Sequence, residues 1–328
     1  MDIFMASIPK FLLPQKNLVR LLQTHAGLYK SPDIQKLIKS VDVYTEPLQL
    51  VFLLASAIYK YDKTKLTKQL AGVINHEVFS NAMNMAAFQK ICRLYNAENI
   101  PVLATKGLVH KLLYPHSTRP MNDADFVVPK SVYRHAINLA VENGFHINHD
   151  LRFSADLQLR DQGCIDIHYA LFKGTNPRMD DVVFNRAKHI NVMGCNVLIP
   201  QPEDIIIIEM CEFYGNFIFE GLSLDTDISR IFSSHPQWVL DVYKIIRENP
   251  NLNWGEIMRT TQMSGYEYQI KLLAKLMNKI IPNAIPPHAT KVIDFMCPDD
   301  VVRNYVKRDE KIVFMHKNNY KLYKNNKV

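Results

Sequence analysis

The chain has 328 residues, 48% hydrophobic, with 39 Lys/Arg against 32 Asp/Glu and a net charge of +7; this length allows one large domain or two to three small ones, with ample apolar residues for a core. No G-x-G-x-x-G and no G-x-x-x-x-G-K-[ST] occurs, which removes support for the Rossmann and P-loop routes to nucleotides. Five scattered cysteines without C-x-x-C spacing argue against a zinc site and for a reducing compartment; with no secretory-type leader and no run of about 18 apolar residues, a cytoplasmic protein without a membrane partner is expected.

In chain order, apolar spacings of three and four predict helices over residues 17–26, 33–41, 46–59, 66–74 and 78–98. Residues 1–98 are therefore expected to form a helical N-terminal subdomain, with no pattern there that carries chemistry. A catalytic core over 99–200 would follow, then a helical C-terminal subdomain over 201–290 and a basic extension over 291–328.

Residues 99–105 (NIPVLAT) have the look of a short buried strand, followed by Lys106-Gly107 and a helix over 108–113. A strand, a glycine turn and a helix N-terminus make an anion site, because free backbone N–H groups and the helix dipole point outward. Lys106 adds a point charge for a phosphate. Tyr114-Pro115 stops that helix. Arg119 either binds a phosphate oxygen or holds a nearby aspartate in a bidentate pair.

Asp123-Ala124-Asp125 then runs into Phe126, Val127 and Val128, the start of a buried strand. On a strand, residues i and i+2 share a face, so Asp123 and Asp125 aim together. Two adjacent carboxylates resist burial unless a cation sits between them. Hard oxygen ligands of this kind suit Mg²⁺. A helix is expected over 130–143, ending at Gly144, and then strands over 145–150, 151–159 and 163–172. In the last of these, Ile165 and Ile167 alternate with Asp166 and His168. Asp166 is thus a third carboxylate from a neighbouring strand, and His168 shares its face. Three carboxylates on adjacent strands can hold two metal ions around a transferring phosphoryl group. A further strand is expected over 191–199. Helices follow over 238–247, 256–263 and 266–281, and Pro282, Pro286 and Pro287 break the pattern.

The ordered set Lys106-Gly107, Tyr114-Pro115, Arg119, Asp123-x-Asp125, Gly144-Phe145 and Asp166-x-His168 resembles the uncharacterised nucleotidyltransferase family of the DNA polymerase β-like superfamily. Downstream, Ile199-Pro200, Pro202-Glu203-Asp204, Trp238, Asp241, Trp254 and Ile285-Pro286 extend the resemblance over roughly residues 80–287. Lys106-Gly107 stands where the wider superfamily has Gly-Ser, which is the normal form for this family. The resemblance implies an α+β fold, a mixed sheet with flanking helices, and an enzyme that transfers a nucleoside monophosphate from a nucleoside triphosphate, ATP among them, to an acceptor hydroxyl. It implies Asp123, Asp125 and Asp166 as catalytic and metal-binding residues for two Mg²⁺ ions, with Mn²⁺ as a substitute. Lys106, Gly107, Arg119 and His168 would contact the nucleotide.

The acceptor classes compatible with this reading are RNA or tRNA, a protein hydroxyl and a small molecule, with toxin-like modification among them. Residues 307–328 hold seven Lys/Arg against two Asp/Glu, with Tyr320 and Tyr323 interleaved, which leans towards RNA. The alternative is a catalytically inactive nucleotidyltransferase fold used as a nucleotide- or RNA-binding module.

Overall fold

The computed structural model describes residues 16–114, 119–150, 153–159, 163–172, 177–223, 236–302 and 304–305. The basic segment 307–328 and Pro115 lie outside them. The chain divides into two compact units, one spanning Thr67–Ile208 and the other combining the described parts of Met1–Leu66 and Glu209–Val328.

The unit over Thr67–Ile208 is built on a seven-stranded mixed sheet of order β3-β4-β5-β2-β1-β7-β6. Its strands are β1 (Leu103–Ala104), β2 (Ala124–Val127), β3 (Phe145–Asp150), β4 (Ser154–Leu159), β5 (Cys164–His168), β6 (Lys188–Val192) and β7 (Cys195–Ile199). β1 runs antiparallel to β2 and parallel to β7, while β2 and β5 are parallel. The mixed α+β architecture is the one expected.

Alternation decides which face is core. Ala124 and Phe126 of β2 pair with Ile165 and Ile167 of β5, and Ala155 and Leu157 of β4 pair with the same two isoleucines. All six are fully buried. Against Phe126 packs helix α4 (Lys68–Ala97), whose Phe88 and Tyr95 meet its ring edge-on at 5.8 and 6.0 Å. The Tyr95 hydroxyl then donates to the Ala136 carbonyl of helix α6 (Tyr133–Glu142) at 2.8 Å. One sheet face is thereby apolar and helix-covered, and Asp125, Asp166, His168, Asp156 and Gln158 fall on the other.

Three local expectations are corrected. The helices expected over 66–74 and 78–98 are one 30-residue helix, α4, because the residues between them include no proline and Gly72 is tolerated inside it. The strand expected over 191–199 is a hairpin of β6 and β7. Met193 and Gly194 turn it with φ of 55° and 75°, the left-handed pair that matches strand twist. The prolines near 286 open a helix instead of ending one: Pro287 is the first residue of Pro287–Met296, where a missing N–H costs nothing.

A helix over Pro177–Arg186 carries a half-buried acid whose pKa is raised. Asp180 accepts a backbone hydrogen bond from Leu171, its Oδ1 is out of solvent with no partner among the described residues, and desolvation pushes its pKa up to about 7. The folded chain therefore holds this proton at pH values where the unfolded chain has lost it. Stability is fully present below the ordinary carboxylate pKa and falls as pH rises towards 7. Asp180→Asn keeps an acceptor for Leu171 and removes the charge. It is expected to stabilise the unit by about 1–3 kcal/mol at pH 8 and by almost nothing at pH 4. Urea unfolding at the two pH values measures this; equal effects at both would contradict it.

The second unit is helical in its described residues. It contains α1 (Lys16–His25), α2 (Ile34–Ile38) and α3 (Leu48–Tyr61) from the first part of the chain. From the last part come α9 (Gln237–Glu248), α10 (Trp254–Gln262), α11 (Glu267–Ile280) and α12 (Pro287–Met296). α1 packs on α2, α3, α9 and α11, and the Gln23 amide donates to the Ile280 carbonyl at 2.7 Å. Helices distant in sequence thus share one core, with Leu21, Leu22, Leu54 and Leu273 fully buried. Lys271 is buried beside Asp294 and Asp299 and donates to the Cys297 carbonyl at 2.6 Å. Pairing of this kind makes a buried ammonium tolerable. Among the described residues, no helix is long and apolar enough to cross a membrane.

Candidate active site

The parallel register of β2 and β5 sets Asp125 directly beside Asp166. Both side chains lie on the face away from Phe126. Asp125 is 6% exposed, so its charge needs partners. Lys106 Nζ donates to its Oδ1 at 2.7 Å, and His168 Nε2 lies 3.3 Å from the same oxygen. His168 Nε2 is also 2.9 Å from Asp166 Oδ2, so the ring sits between the two carboxylates. Ligand atoms of Asp125, Asp166 and His168 all lie within 4.8 Å of one another. Asp123 stands one residue before β2, outside that trio, and is half-buried.

The protonation pattern follows from the crowding. The Asp125 carboxylate beside Asp123, with burial adding to it, pushes the Asp123 pKa well above the usual range. Burial works against the Asp125 anion too, but the Lys106 ammonium and the His168 ring overcome it and hold its pKa below the usual range. Burial and Lys106 disfavour a charged His168, yet its bonds to Asp125 and Asp166 raise its pKa on balance. The Asp125 anion is thus favoured, and the neighbouring Asp123 resists ionisation.

Lys106 opens helix α5 (Lys106–Leu113). Its backbone is left-handed, with φ of 46°, a conformation that disfavours a side chain. The N-cap residue Thr105 makes no side-chain cap bond, and a helix N-terminus directs N–H groups and the positive end of its dipole towards an anion. Gly107 lies close to two side chains: a Cβ there would stand 2.3 Å from Arg119 Nη1 and 3.0 Å from Met121 Cγ, so a larger residue would displace the end of the Arg119 side chain. Arg119 also donates to the Pro120 carbonyl at 3.0 Å. Lys106, Gly107 and Arg119 are therefore brought together, and Lys106 reaches the carboxylates.

Two neighbours of this site had no individual sequence signal. Thr105 pairs its N–H with the Asp125 carbonyl at 3.1 Å, and its hydroxyl is buried with no partner among the described residues. Asp156 pairs across β4 with Asp166, a further carboxylate on the polar face. The alternation of Ala155, Leu157 and Leu159 against Asp156 and Gln158 places it there, but only once β4 is known to neighbour β5.

A divalent cation fits this donor set. The oxygens are hard, they converge from two strands, and Asp166 Oδ1 is buried without a hydrogen-bond partner among the described residues.

Residues 48–282 match the family described as "Uncharacterised nucleotidyltransferase". The chain belongs to that family. It is an enzyme of the nucleotidyltransferase class, as its motif order implies. No curated protein matches it. Among solved structures, the antibiotic-resistance factor ANT(2″)-Ia is similar at 17% identity and a TM-score of 0.32, covering 50% of this chain and 91% of that one. An antigenic nucleotidyltransferase-like protein from Paracoccidioides brasiliensis is similar at 13% identity and a TM-score of 0.39, covering 66% and 93%. In this nucleotidyltransferase, the family match spans both the carboxylate strands and the helices that follow them.

Proposed function

We propose that the protein transfers a nucleoside monophosphate from a nucleoside triphosphate to an acceptor hydroxyl at the carboxylates of β2 and β5. The observation that carries this reading is the meeting of the two halves of such a site. Lys106 at the N-terminus of α5 touches Asp125, which lies beside Asp166. The acceptor oxygen forms a bond to the α-phosphorus, the bond from that phosphorus to the bridging oxygen breaks, and pyrophosphate leaves.

Asp123, Asp125 and Asp166 are the residues that would hold two divalent ions, Mg²⁺ or Mn²⁺. When bound, these ions neutralise charge on the triphosphate and lower the pKa of the acceptor hydroxyl. Lys106, the first N–H groups of α5 and Arg119 hold the β- and γ-phosphates. Asp166 takes the acceptor proton through Oδ1, the oxygen that has no hydrogen-bond partner among the described residues. His168 steers the Asp125 and Asp166 carboxylates by bonding both. Catalysis of this kind is positioning plus charge stabilisation, with no covalent enzyme intermediate.

The acceptor classes are RNA or a tRNA end, a protein hydroxyl, or a small molecule. The four nucleoside triphosphates, each labelled at the α-phosphate, are incubated with the protein, Mg²⁺ and a cell extract, and RNA, protein and small-molecule fractions are resolved. Label in one fraction, absent with Asp125→Asn, is expected and identifies the acceptor class. Label in no fraction, with no triphosphate binding, would return the protein to the class of inactive binding modules.

A further inference from the structure

Helix α4 meets the entrances of both carboxylate strands through one side chain. Asn84 is 2% exposed. Its Nδ2 donates to the Met121 carbonyl at 2.8 Å, and its Oδ1 accepts from the Cys164 N–H at 2.8 Å. Met121 lies two residues before Asp123, and Cys164 two residues before Asp166. A single amide therefore ties the chain entering β2 to the chain entering β5. Its orientation is forced, since a carbonyl only accepts and an N–H only donates.

The surroundings are built for this contact. A Cβ on Gly163 would stand 2.3 Å from both the Cα and the N of Asn84, so glycine is what lets β5 approach the helix here. Three residues earlier on the same helix face, Asn81 Nδ2 donates to the Arg119 carbonyl at 2.9 Å. Asn81 and Asn84 thus grip successive points, Arg119 and Met121, of the segment that leads into Asp123.

We propose that Asn84 is a positioning residue: it fixes the register and separation of β2 and β5, and through them the divalent-cation affinity of Asp123, Asp125 and Asp166. The proposal rests on the reading of these aspartates as metal ligands. The register matters because the parallel pairing of β2 and β5 is only four residue pairs long. A slip of two residues keeps every side chain on its face yet moves Asp166 about 6.6 Å along Asp125. That exceeds what one cation with metal–oxygen distances near ~2.1 Å can bridge. Asn84 opposes the slip because its two bonds are made together in one register only. Asn84 acts through Met121 and Cys164, as an outer partner that orients metal ligands.

Mn²⁺ affinity, read from the electron paramagnetic resonance of the free ion, tests this without any catalytic assay. Wild type, Asn84→Ala, Asn84→Ser and Tyr95→Phe are compared, with melting temperatures alongside. Tyr95→Phe removes a buried hydrogen bond from the same helix, to the Ala136 carbonyl, without touching either strand entrance. Asn84→Ala is expected to weaken Mn²⁺ binding about 10- to 100-fold, the usual range for an outer-shell partner. Asn84→Ser, too short to bridge both groups, weakens it by a smaller factor, and Tyr95→Phe leaves it unchanged. If Asn84→Ala does not fold, Asn84→Ser decides alone. Folded Asn84 variants that bind Mn²⁺ like wild type overturn the proposal, as does an equal loss in Tyr95→Phe. A wild-type chain that binds no Mn²⁺ overturns the metal reading, and this proposal with it.

Discussion

Asp125→Asn is expected to lower nucleotidyl transfer by at least about a hundredfold, the scale of one lost electrostatic group at a reacting phosphate. The effect is large because Asp125 is the junction of the site. It accepts from Lys106, lies against His168, pairs in register with Asp166, and is held in its anionic form by the Lys106 and His168 contacts. The asparagine keeps the shape and leaves the Lys106 ammonium and the His168 ring facing a neutral amide. With that anion gone, the largest cause of the raised Asp123 pKa also disappears. The measurement is the initial rate of label transfer from an α-labelled triphosphate, on protein whose melting temperature shows it folded. A rate within about tenfold of wild type would remove Asp125 from the chemistry.

The second large effect is on stability. Phe126→Ala is expected to destabilise the sheet unit by about 3–5 kcal/mol, the range for truncating a buried phenylalanine. Phe126 is fully buried on the core face of β2, with the rings of Phe88 and Tyr95 against it. The loss combines transfer free energy, the cavity left behind and two edge-to-face contacts. Urea unfolding followed by far-ultraviolet circular dichroism measures it. A change below about 1 kcal/mol would mean that α4 does not pack on β2 as described. Strand β2 is thus two-sided: its even residues, Ala124 and Phe126, hold the fold, and Asp125 between them presents the chemistry.

That two-sidedness is why the placing of Asp125 and Asp166 on one polar face could be read from the sequence. Asp-x-Asp before an apolar run, and Ile-Asp-Ile-His, each declare a strand with one polar face, because a side-chain period of two survives any detail of topology. The bond from Lys106 to Asp125 was not legible, because the sequence marks Lys106 only as a charge at a helix N-terminus and does not state which carboxylate the turn lies against. The features that were hidden depend on pairings the sequence does not state. Asp156 faces the site only because β4 lies beside β5. Asn84 is one polar residue in a long helix, and its meaning comes from backbone groups 37 and 80 residues away. Nor does local pattern show that α1 packs with α9 and α11 in one core, because each of these helices is amphipathic without naming its partner.

Local misreadings have equally specific causes. Pro287 reads as a breaker because proline ends helices from within, whereas at the first position its fixed φ starts one. The β6–β7 turn carries a weak sequence signal because Met193 adopts a left-handed backbone that glycine or asparagine more often marks. The unbroken α4 was split at a polar stretch, 75–77, although Glu77 is in fact buried. Burial of that carboxyl, which raises its pKa, is a tertiary effect that composition does not announce.

The central claim is that the carboxylates of β2 and β5 bind a triphosphate through a divalent cation. Isothermal titration of each nucleoside triphosphate into the protein, with Mg²⁺ and then with the metal chelated, tests it most directly. Saturable binding that is lost on chelation and restored by added Mg²⁺ is the predicted result. Triphosphate binding of equal affinity in the absence of any divalent ion would contradict it.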